Sequence, residues 1–373
     1  MQQLLRVLLG ALLLGGALLA CAAQDADPSS QLQEADFQNE FARFIRTYNR
    51  TYAASSANAR GGSSSEFNTR YSVFKSNLQF IRAHNAAAAR GEHTYTLAVN
   101  QFADISDEEY RQQRAASRPR IREALRNMPR ANETATPGAD AAASRSLLQT
   151  APTAIDWVTA GRVPVPVWDT YTCGGDYAVQ SSDAVASLFA VVGGYTPVPL
   201  SAQQILDCSG QFGNEGCYGG MPDMSFEYLE NVGMYSDLEY PWVASQWTCR
   251  EPWSGAPVEV PHILSYAYAP NEAALQARLA LQPVIVALST DTVQAFRFYY
   301  EGVFSDKQCG EELDMLMLVV GYGHDAASGK DFWRLKNHWA TQWGDGGYMR
   351  IERGIGMCGF GLYSIYPTHA NLQ

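Results

Sequence analysis

A carboxylate stands at the beginning of a predicted helix, directly behind a glycine-rich turn. Residues 172–178 read TCGGDYA, so Asp176 follows two glycines. The next stretch predicts a helix ending at Gly193–Gly194, because its apolar residues recur at helical spacing, namely Val185, Leu188, Phe189 and Val192. An aspartate here either caps the helix, which stabilises it by roughly 0.5–2 kcal/mol, or takes part in chemistry.

Two other polar groups could act with Asp176. Asp314 precedes one apolar strand pattern, and His338 follows Asn337 at the end of another. A carboxylate that shares a proton with a second carboxylate, or that works beside an imidazole, can activate water. Asp176 and His338 are too few ligands for a metal ion, so we expect no metal and no cofactor.

The N-terminus predicts export of the chain. Residues 1–23 hold one arginine, a short apolar run, and small residues at Ala20 and Ala22, which is typical of a cleaved signal peptide. The alternative is a lipoprotein signal that ends at an acylated Cys21. No later segment of the 373 residues is apolar enough to cross a bilayer. We therefore expect the secretory pathway, either outside the cell or in a lysosomal or vacuolar lumen.

The charge of the chain changes sign along its length. Residues 151–373 contain 10 Lys+Arg and 24 Asp+Glu, a net of −14, whereas the totals of 27 and 38 leave +3 for residues 1–150. An acidic body of this kind argues against nucleic acid as a partner.

Six cysteines follow the predicted signal, and all of them lie beyond residue 172. An even count in an oxidising compartment indicates disulfides rather than free thiols. Their spacing does not match a zinc site.

Three segments follow the signal. Residues 31–113 predict helices, one of which has an apolar face made of Tyr71, Phe74, Leu78 and Ile81. Residues 114–150 are rich in Arg, Ala, Ser and Pro and predict a solvated, cleavable linker, although the arginines could also form a nucleic-acid or membrane patch. Asn49 and Asn132 lie in glycosylation sequons.

Residues 151–373 predict an α+β domain. The helix after Asp176 and a cysteine-containing loop region come first, and four strand patterns follow: PVIVALS, MLMLVVGYG, DFWRLKN and GYMRIER. A helical half joined to a β half suggests a groove between the two.

At this point the chain resembles the papain-like cysteine peptidases, in particular their cathepsin L-like branch. The motifs IDW, DCSGQFGNEGCYGG, VVGYG, KNHW and WGDGGYMRIERG stand in the order of that family, and AVNQFAD resembles a propeptide motif. The propeptide's ERFNIN spacing is reproduced by Glu66, Arg70, Val73, Phe74, Asn77, Ile81 and Asn85. The resemblance implies a two-lobed papain-like fold over residues 151–373, with a helical inhibitory propeptide over residues 31–113.

The resemblance also implies how the cysteines pair and where the catalytic groups should be. The implied disulfides are Cys173–Cys217, Cys208–Cys249 and Cys309–Cys358. Asp176 then stands at the position of the nucleophilic cysteine and Met315 at that of the histidine base, while Asn337, which orients the base, is retained. Thr170 falls at the position of the oxyanion glutamine, in an uncertain register.

These replacements remove the nucleophile and the base, so the resemblance implies a family member without cysteine-type peptidase activity. The substrate groove is partly retained, in Gly219, Gly220, Met221, Pro222, Ala287 and Leu316. Either Met315 and Leu316 fill a dead cleft, or the groove is a repurposed peptide site. The chain's own propeptide is the expected groove occupant, with peptides or active peptidases as further partners; a peptidase that uses Asp176 and a structural or storage protein are the alternatives.

Overall fold

The computed structural model describes residues 28–52, 65–114, 118–127, 151–250 and 263–369. The predicted signal peptide and Asn132 lie outside the described residues. Asn49 is described and exposed, with a φ of 47°.

The helices follow the apolar spacing of the sequence. They are α1 (Pro28–Thr47), α2 (Ser65–Ala89), α3 (Asp107–Arg114), α4 (Arg118–Asn127), α5 (Asp176–Gly193), α6 (Ala202–Cys208), α7 (Pro222–Asn231), α8 (Glu272–Leu279) and α9 (Gln294–Phe298). The helix predicted after Asp176 is confirmed as α5. It ends at Gly193 because Gly194 has a left-handed φ of 72°, and the Gly194 N–H donates to the Ala190 carbonyl.

The strands are β1 (Tyr95–Leu97), β2 (Ile155–Asp156), β3 (Ser265–Tyr268), β4 (Val284–Leu288), β5 (Tyr299–Phe304), β6 (Met315–Asp325), β7 (Lys330–Lys336), β8 (Tyr348–Glu352) and β9 (Ser364–Thr368). The four predicted strands are confirmed as β4, β6, β7 and β8. The strand order in the sheet is β1-β5-β8-β7-β6-β4-β9-β3, and β2 pairs with β6. All pairs are antiparallel except β5 with β8.

The chain divides into two compact units, Met1–Tyr71 and Ser72–Gln373. In the first unit an aromatic cluster packs around Phe41. The ring centre of Phe41 lies 5.4 Å from that of Phe67 and 5.2 Å from that of Tyr71. The Tyr71 hydroxyl donates to Glu34.

In the second unit, residues 72–114 are hydrogen-bonded to the β-rich part of the domain. Strand β1 pairs with β5, and Asn85 fixes β1 by donating to the Leu97 carbonyl and accepting from its N–H, both at 2.8 Å. Asn77 donates to the Ala103 carbonyl at 2.9 Å and accepts from Arg297 at 3.1 Å. Two asparagines of the ERFNIN pattern thus hold the loop and strand that follow α2.

Three disulfides hold the C-terminal domain, and they are the pairs that the resemblance implied: Cys173–Cys217, Cys208–Cys249 and Cys309–Cys358. Each of them closes a loop of more than 40 residues. Loops of this length restrict the unfolded chain, which stabilises the fold by roughly 2–4 kcal/mol per disulfide.

The prediction of a solvated linker over residues 114–150 was wrong for residues 118–127, which form α4. Ile121 is fully buried in this helix and Ala124 is nearly so. Composition misled the prediction, because arginines outnumber the few apolar residues of α4, and those residues are stabilised by packing on the rest of the domain rather than by helix propensity.

Candidate functional site

The turn before α5 requires glycine at two positions. A Cβ on Gly174 would lie 2.8 Å from the Cys217 carbonyl oxygen, and one on Gly175 would lie 2.8 Å from the Trp242 ring. The Cys173–Cys217 disulfide fixes the same turn. The first residue of α5, Asp176, is therefore held against the neighbouring chain segments.

Asp176 is not the N-cap of α5, as the local pattern had suggested. Gly175 occupies that position, and Asp176 is the first helical residue. Its Oδ1 accepts from the Tyr177 N–H at 2.9 Å, and its Oδ2 accepts from the Leu316 N–H, at the start of β6, at 3.1 Å. The side chain is only 3% exposed. The carboxylate thus joins the beginning of α5 to the beginning of β6, where the helix dipole also favours a negative charge.

Met315 and Leu316 begin β6 and are fully buried. In the sheet they lie opposite Leu288 and Ala287 of β4. Met315 is next in sequence to Leu316, whose N–H donates to Asp176, so the residue at the predicted base position lies one position from a contact of the residue at the predicted nucleophile position. A thioether has no proton to exchange near neutral pH.

Asn337 lies at the end of β7, where its N–H donates to the Gly347 carbonyl at 3.0 Å. Its Oδ1 accepts from the His338 N–H at 2.8 Å, and its Nδ2 is buried without an acceptor among the described residues. His338 is fully buried, with Nδ1 3.3 Å from Gln180 Nε2 on α5. The imidazole is therefore engaged with α5, one helical turn beyond Asp176.

Thr170 is buried, and both its N–H and its hydroxyl donate to the His338 carbonyl, at 3.1 and 3.4 Å. The Thr170 hydroxyl therefore already donates its proton to a group of the protein.

Asp314 is also engaged away from Asp176. Its Oδ1 accepts from the Thr290 N–H and hydroxyl, at 2.9 and 2.8 Å, and its Oδ2 accepts from the Asp291 N–H at 3.1 Å. These contacts give Asp314 a role in the turn after β4.

The residues predicted to line the groove are all buried: Gly219, Gly220, Met221, Pro222, Ala287 and Leu316. Gly219 has a φ of 107°, which a larger residue would adopt only with strain, and a Cβ on Gly220 would lie 2.2 Å from Asn214 Oδ1. Met221, Ala287 and Leu316 belong to one apolar cluster with Tyr363, which the sequence analysis had not singled out.

Helix α4 belongs to the same cluster through Ile121 and Ala124. Arg120 forms an ion pair with Glu215, four residues before the predicted groove residue Gly219. Arg122 forms one with Glu312, three residues before Met315. The helix is therefore anchored by ion pairs close to Gly219–Gly220 and close to the start of β6. These residues were not among the predicted site residues, although the spacing of Ile121, Ala124 and Leu125 is typical of one helix face.

A buried ion pair lies behind the site. Lys336 Nζ, at the end of β7, is 2.8 Å from Asp183 Oδ2 on α5, and neither side chain is more than 2% exposed. Lys336 also donates to the Pro164 carbonyl at 2.8 Å. Burial raises the pKa of Asp183 and lowers that of Lys336, and each partner opposes the shift of the other.

Within the described ranges there is no cluster of His, Cys, Asp and Glu side chains that could hold a metal ion. The same part of the chain contains no helix long and apolar enough to cross a membrane.

Comparisons with known proteins identify the family. Residues 151–368 match the family described as papain family cysteine protease, and residues 41–110 match the cathepsin propeptide inhibitor domain. Cysteine proteinase EP-B 1 of Hordeum vulgare is 34% identical over 94% of this chain and 91% of its own length. The cathepsin L-like proteinase of Phaedon cochleariae is 32% identical over 91% and 96%.

Solved zymogens have the same fold. Digestive procathepsin L 3 of Tenebrio molitor larval midgut superimposes with a TM-score of 0.72 at 30% identity, over 89% of this chain and 99% of that one. The stem bromelain precursor gives a TM-score of 0.70 at 29% identity, over 90% and 99%. The chain belongs to the papain family of cysteine proteases, with a cathepsin-type propeptide domain preceding its papain-like domain.

Proposed function

We propose that this papain-family member has lost peptidase activity and acts as a binding or regulatory protein through its groove. The observation that carries the proposal is the state of Asp176, which occupies the proposed nucleophile position as a buried carboxylate accepting from two backbone N–H groups.

The chemistry of the neighbouring residues supports this proposal. Attack on a peptide bond in this family needs a thiolate, and every cysteine of the described residues is in a disulfide. Met315 can neither take a proton from a nucleophile nor give one to a leaving amine.

The stabilisation of an oxyanion is also weakened. Thr170, at the proposed position of the donor, directs its hydroxyl to the His338 carbonyl. Loss of a single oxyanion donor costs about 10²–10³ in rate. This loss adds to the loss of nucleophile and base, so we expect no measurable turnover.

Three disulfides fit a lumenal or extracellular protein, and we place the mature protein outside the cell or in a lysosomal or vacuolar lumen. Removal of the propeptide then requires another peptidase, acting on the part of the linker beyond α4.

The alternative is a peptidase in which Asp176 activates water. Two observations count against it. Both oxygens of Asp176 accept from backbone N–H groups, and Asp314 and His338, the residues considered as its partners, are engaged at Thr290 and Gln180.

The test is cleavage of an unstructured peptide mixture from pH 4 to 7, followed by mass spectrometry. The samples are the full chain, the full chain cut between residues 128 and 150, and the Asp176→Ala variant of each. We expect no cleavage in any sample.

An active papain-family zymogen of known activity serves as the positive control. Cleavage by the parent that disappears in Asp176→Ala would establish the alternative. Cleavage that survives this substitution would overturn the proposal by a different route, since it would require a catalytic group elsewhere.

A further inference from the structure

We infer that the groove is a docking site for a basic amphipathic helix of a partner protein, and that α4 is its resident, intramolecular ligand. The inference deepens the proposed function and rests on it, because a groove that cuts peptide bonds would need an extended chain in place of a helix. Three consecutive residues of α4 carry this inference. Ile121 packs into the apolar cluster that contains the groove residues, while Arg120 and Arg122 form ion pairs with Glu215 and Glu312.

Neighbouring residues of α4 have different surroundings. Residues 120, 121 and 122 are successive positions of a helix and point about 100° apart. The middle one, Ile121, is fully buried, whereas Arg120 reaches Glu215 in the loop before Gly219, and Arg122 reaches Glu312 in the loop before β6. This arrangement is typical of a helix that lies in a groove with its apolar face against the groove floor.

Helix α4 has an apolar stripe along one face. Ile121, Ala124 and Leu125 have i, i+3 and i+4 spacing and share one face of α4. Ile121 and Ala124 belong to the cluster that contains Met221 and Leu316, and Leu125 packs against that cluster. Helix-in-groove recognition uses anchors with this spacing, and the small Ala124 allows the helix backbone to approach the groove closely.

Helix α4 and the domain that it packs against carry net charges of opposite sign. Helix α4 carries four arginines and one glutamate, whereas the domain from residue 151 onward has a net charge of −14, from 10 Lys+Arg and 24 Asp+Glu. The partner segment is therefore a helix with a buried branched residue between two basic residues, followed by a small and a large apolar residue. Acidic or extended peptides do not fit this description.

The ion pairs of α4 are weak enough for a partner helix to replace it. Glu215 and Glu312 keep 55% and 64% of their side-chain surface exposed. An exposed ion pair changes an affinity by no more than about fivefold, so Ile121 supplies most of the binding and the two pairs set orientation. A partner helix can therefore replace α4 in two ways. Its concentration can exceed the effective concentration of the tethered α4, or it can bind the groove with higher affinity than α4 does.

The test measures binding of a fluorescein-labelled peptide with the sequence of α4, RPRIREALRN, to the full chain by fluorescence anisotropy. In the parent the groove is occupied, so binding should be weak. Ile121→Asp in the chain should release α4 and tighten peptide binding by about 10- to 100-fold. Ile121→Val, the matched control, should behave as the parent, and a peptide with Asp at the isoleucine position should bind to none of the proteins.

A second set of variants, in which the charges of the two ion pairs are reversed, allows the test to be made even if Ile121→Asp does not fold. Arg120→Glu with Arg122→Glu is a second way to release α4. In the Ile121→Asp chain, where α4 keeps its arginines, Glu215→Arg with Glu312→Arg should weaken binding of the parent peptide by about 5- to 25-fold. A peptide with glutamates in place of the two flanking arginines should then recover binding. Thermal unfolding of each variant identifies any that fail to fold.

The outcomes separate this inference from the proposed function. The same samples are analysed for peptide cleavage by mass spectrometry. A peptide that binds and stays intact supports both the loss of peptidase activity and the docking of a helix in the groove. A peptide that is cut overturns the proposed loss of activity. An intact peptide that fails to bind to both released chains, or that binds without regard to the charge reversal, overturns the docking inference alone.

Discussion

At the scale of single residues, Asp176 has a structural explanation. It accepts from the Tyr177 N–H within α5 and from the Leu316 N–H at the start of β6. Both donors are buried with it, and a buried N–H without an acceptor is costly. The carboxylate therefore contributes to the junction of α5 and β6, whatever its ancestry.

Asp176→Ala should lower the free energy of unfolding by about 1–3 kcal/mol, because it leaves two buried N–H groups without their acceptor. Asp176→Asn should have a smaller effect, since its amide oxygen still accepts. Urea denaturation followed by tryptophan fluorescence measures both. Thr153→Ala, at an exposed position, is the control, and equal stability of Asp176→Ala and this control would show that the two hydrogen bonds contribute nothing.

At the scale of elements, α2 and β1 meet around a histidine pair. The ring of His84 stacks on that of His93 with centres 4.1 Å apart, and its Nε2 lies 3.2 Å from the Tyr95 carbonyl oxygen. Burial lowers the pKa of His84 below 6.5, and His93 acts in the same direction, while the Tyr95 carbonyl and Asp306 oppose the shift. The packing of α2 on β1 therefore favours neutral His84.

Acidification should loosen this contact. Because the pKa of folded His84 lies below its ordinary value, the unfolded segment binds more protons, and stability is lost progressively as pH falls below about 6.5 toward the lower pKa of the folded state. Amide hydrogen exchange in Tyr95–Leu97 should therefore be faster at pH 5.5 than at pH 7.5, after correction for intrinsic rates. His84→Gln can still donate to the Tyr95 carbonyl but does not titrate, so an undiminished pH effect in this variant would refute the assignment.

Arg297 shows what propeptide removal would expose. It is 1% exposed, and its guanidinium contacts Asp107 at 2.6 Å and Asn77 at 3.1 Å, both in residues 72–114. Burial lowers the pKa of Arg297, and Asp107 opposes the shift. The β-rich part of the domain thus contains a cation whose partners are supplied by the propeptide.

A cut in the linker should therefore leave the propeptide bound. After cleavage between residues 128 and 150, the two fragments should co-elute in size-exclusion chromatography at pH 7. Asp107→Ala should weaken their association by removing the partner of a buried charge, whereas Glu108→Ala, at the exposed neighbouring position, should not. Separation of the parent fragments at pH 7 would contradict the account.

At the scale of the whole molecule, the helical and β-rich parts are joined by the Asp183–Lys336 pair. Both side chains are buried, and the pair links α5 to β7. Such a pair adds little over apolar residues, but removing one partner leaves a buried charge alone.

Asp183→Asn should accordingly lower the free energy of unfolding by roughly 3–5 kcal/mol. The double variant Asp183→Leu with Lys336→Met should be much closer to the parent, because it removes both charges. Denaturant unfolding of the two proteins provides the comparison. A double variant less stable than Asp183→Asn would show that the pair has a net stabilising value.

The sequence predicted the parts of the fold that have strong local periodicity. Helix α5 and strands β4, β6, β7 and β8 have clear apolar patterns. Strand β1 does not, because its three residues are held by pairing with β5, about 200 positions further along the chain. At the site, the identities of Asp176 and Met315 were visible in the sequence, whereas the N–H groups that occupy Asp176 and the helical form of α4 depend on tertiary contacts.

The central proposal is that Asp176 and Met315, whose neighbour Leu316 donates its N–H to Asp176, stand within reach of each other at the positions of a nucleophile and its base. It is tested most directly by the pH profile of iodoacetamide alkylation of Asp176→Cys, with and without Met315→His, in the full chain carrying Ile121→Asp. We expect the added histidine to lower the pKa of the new thiol below its ordinary value of about 8.5, so that alkylation persists below pH 7 only in the histidine variant. Identical profiles for the two proteins would show that the two positions are not within reach of each other, and would contradict the account.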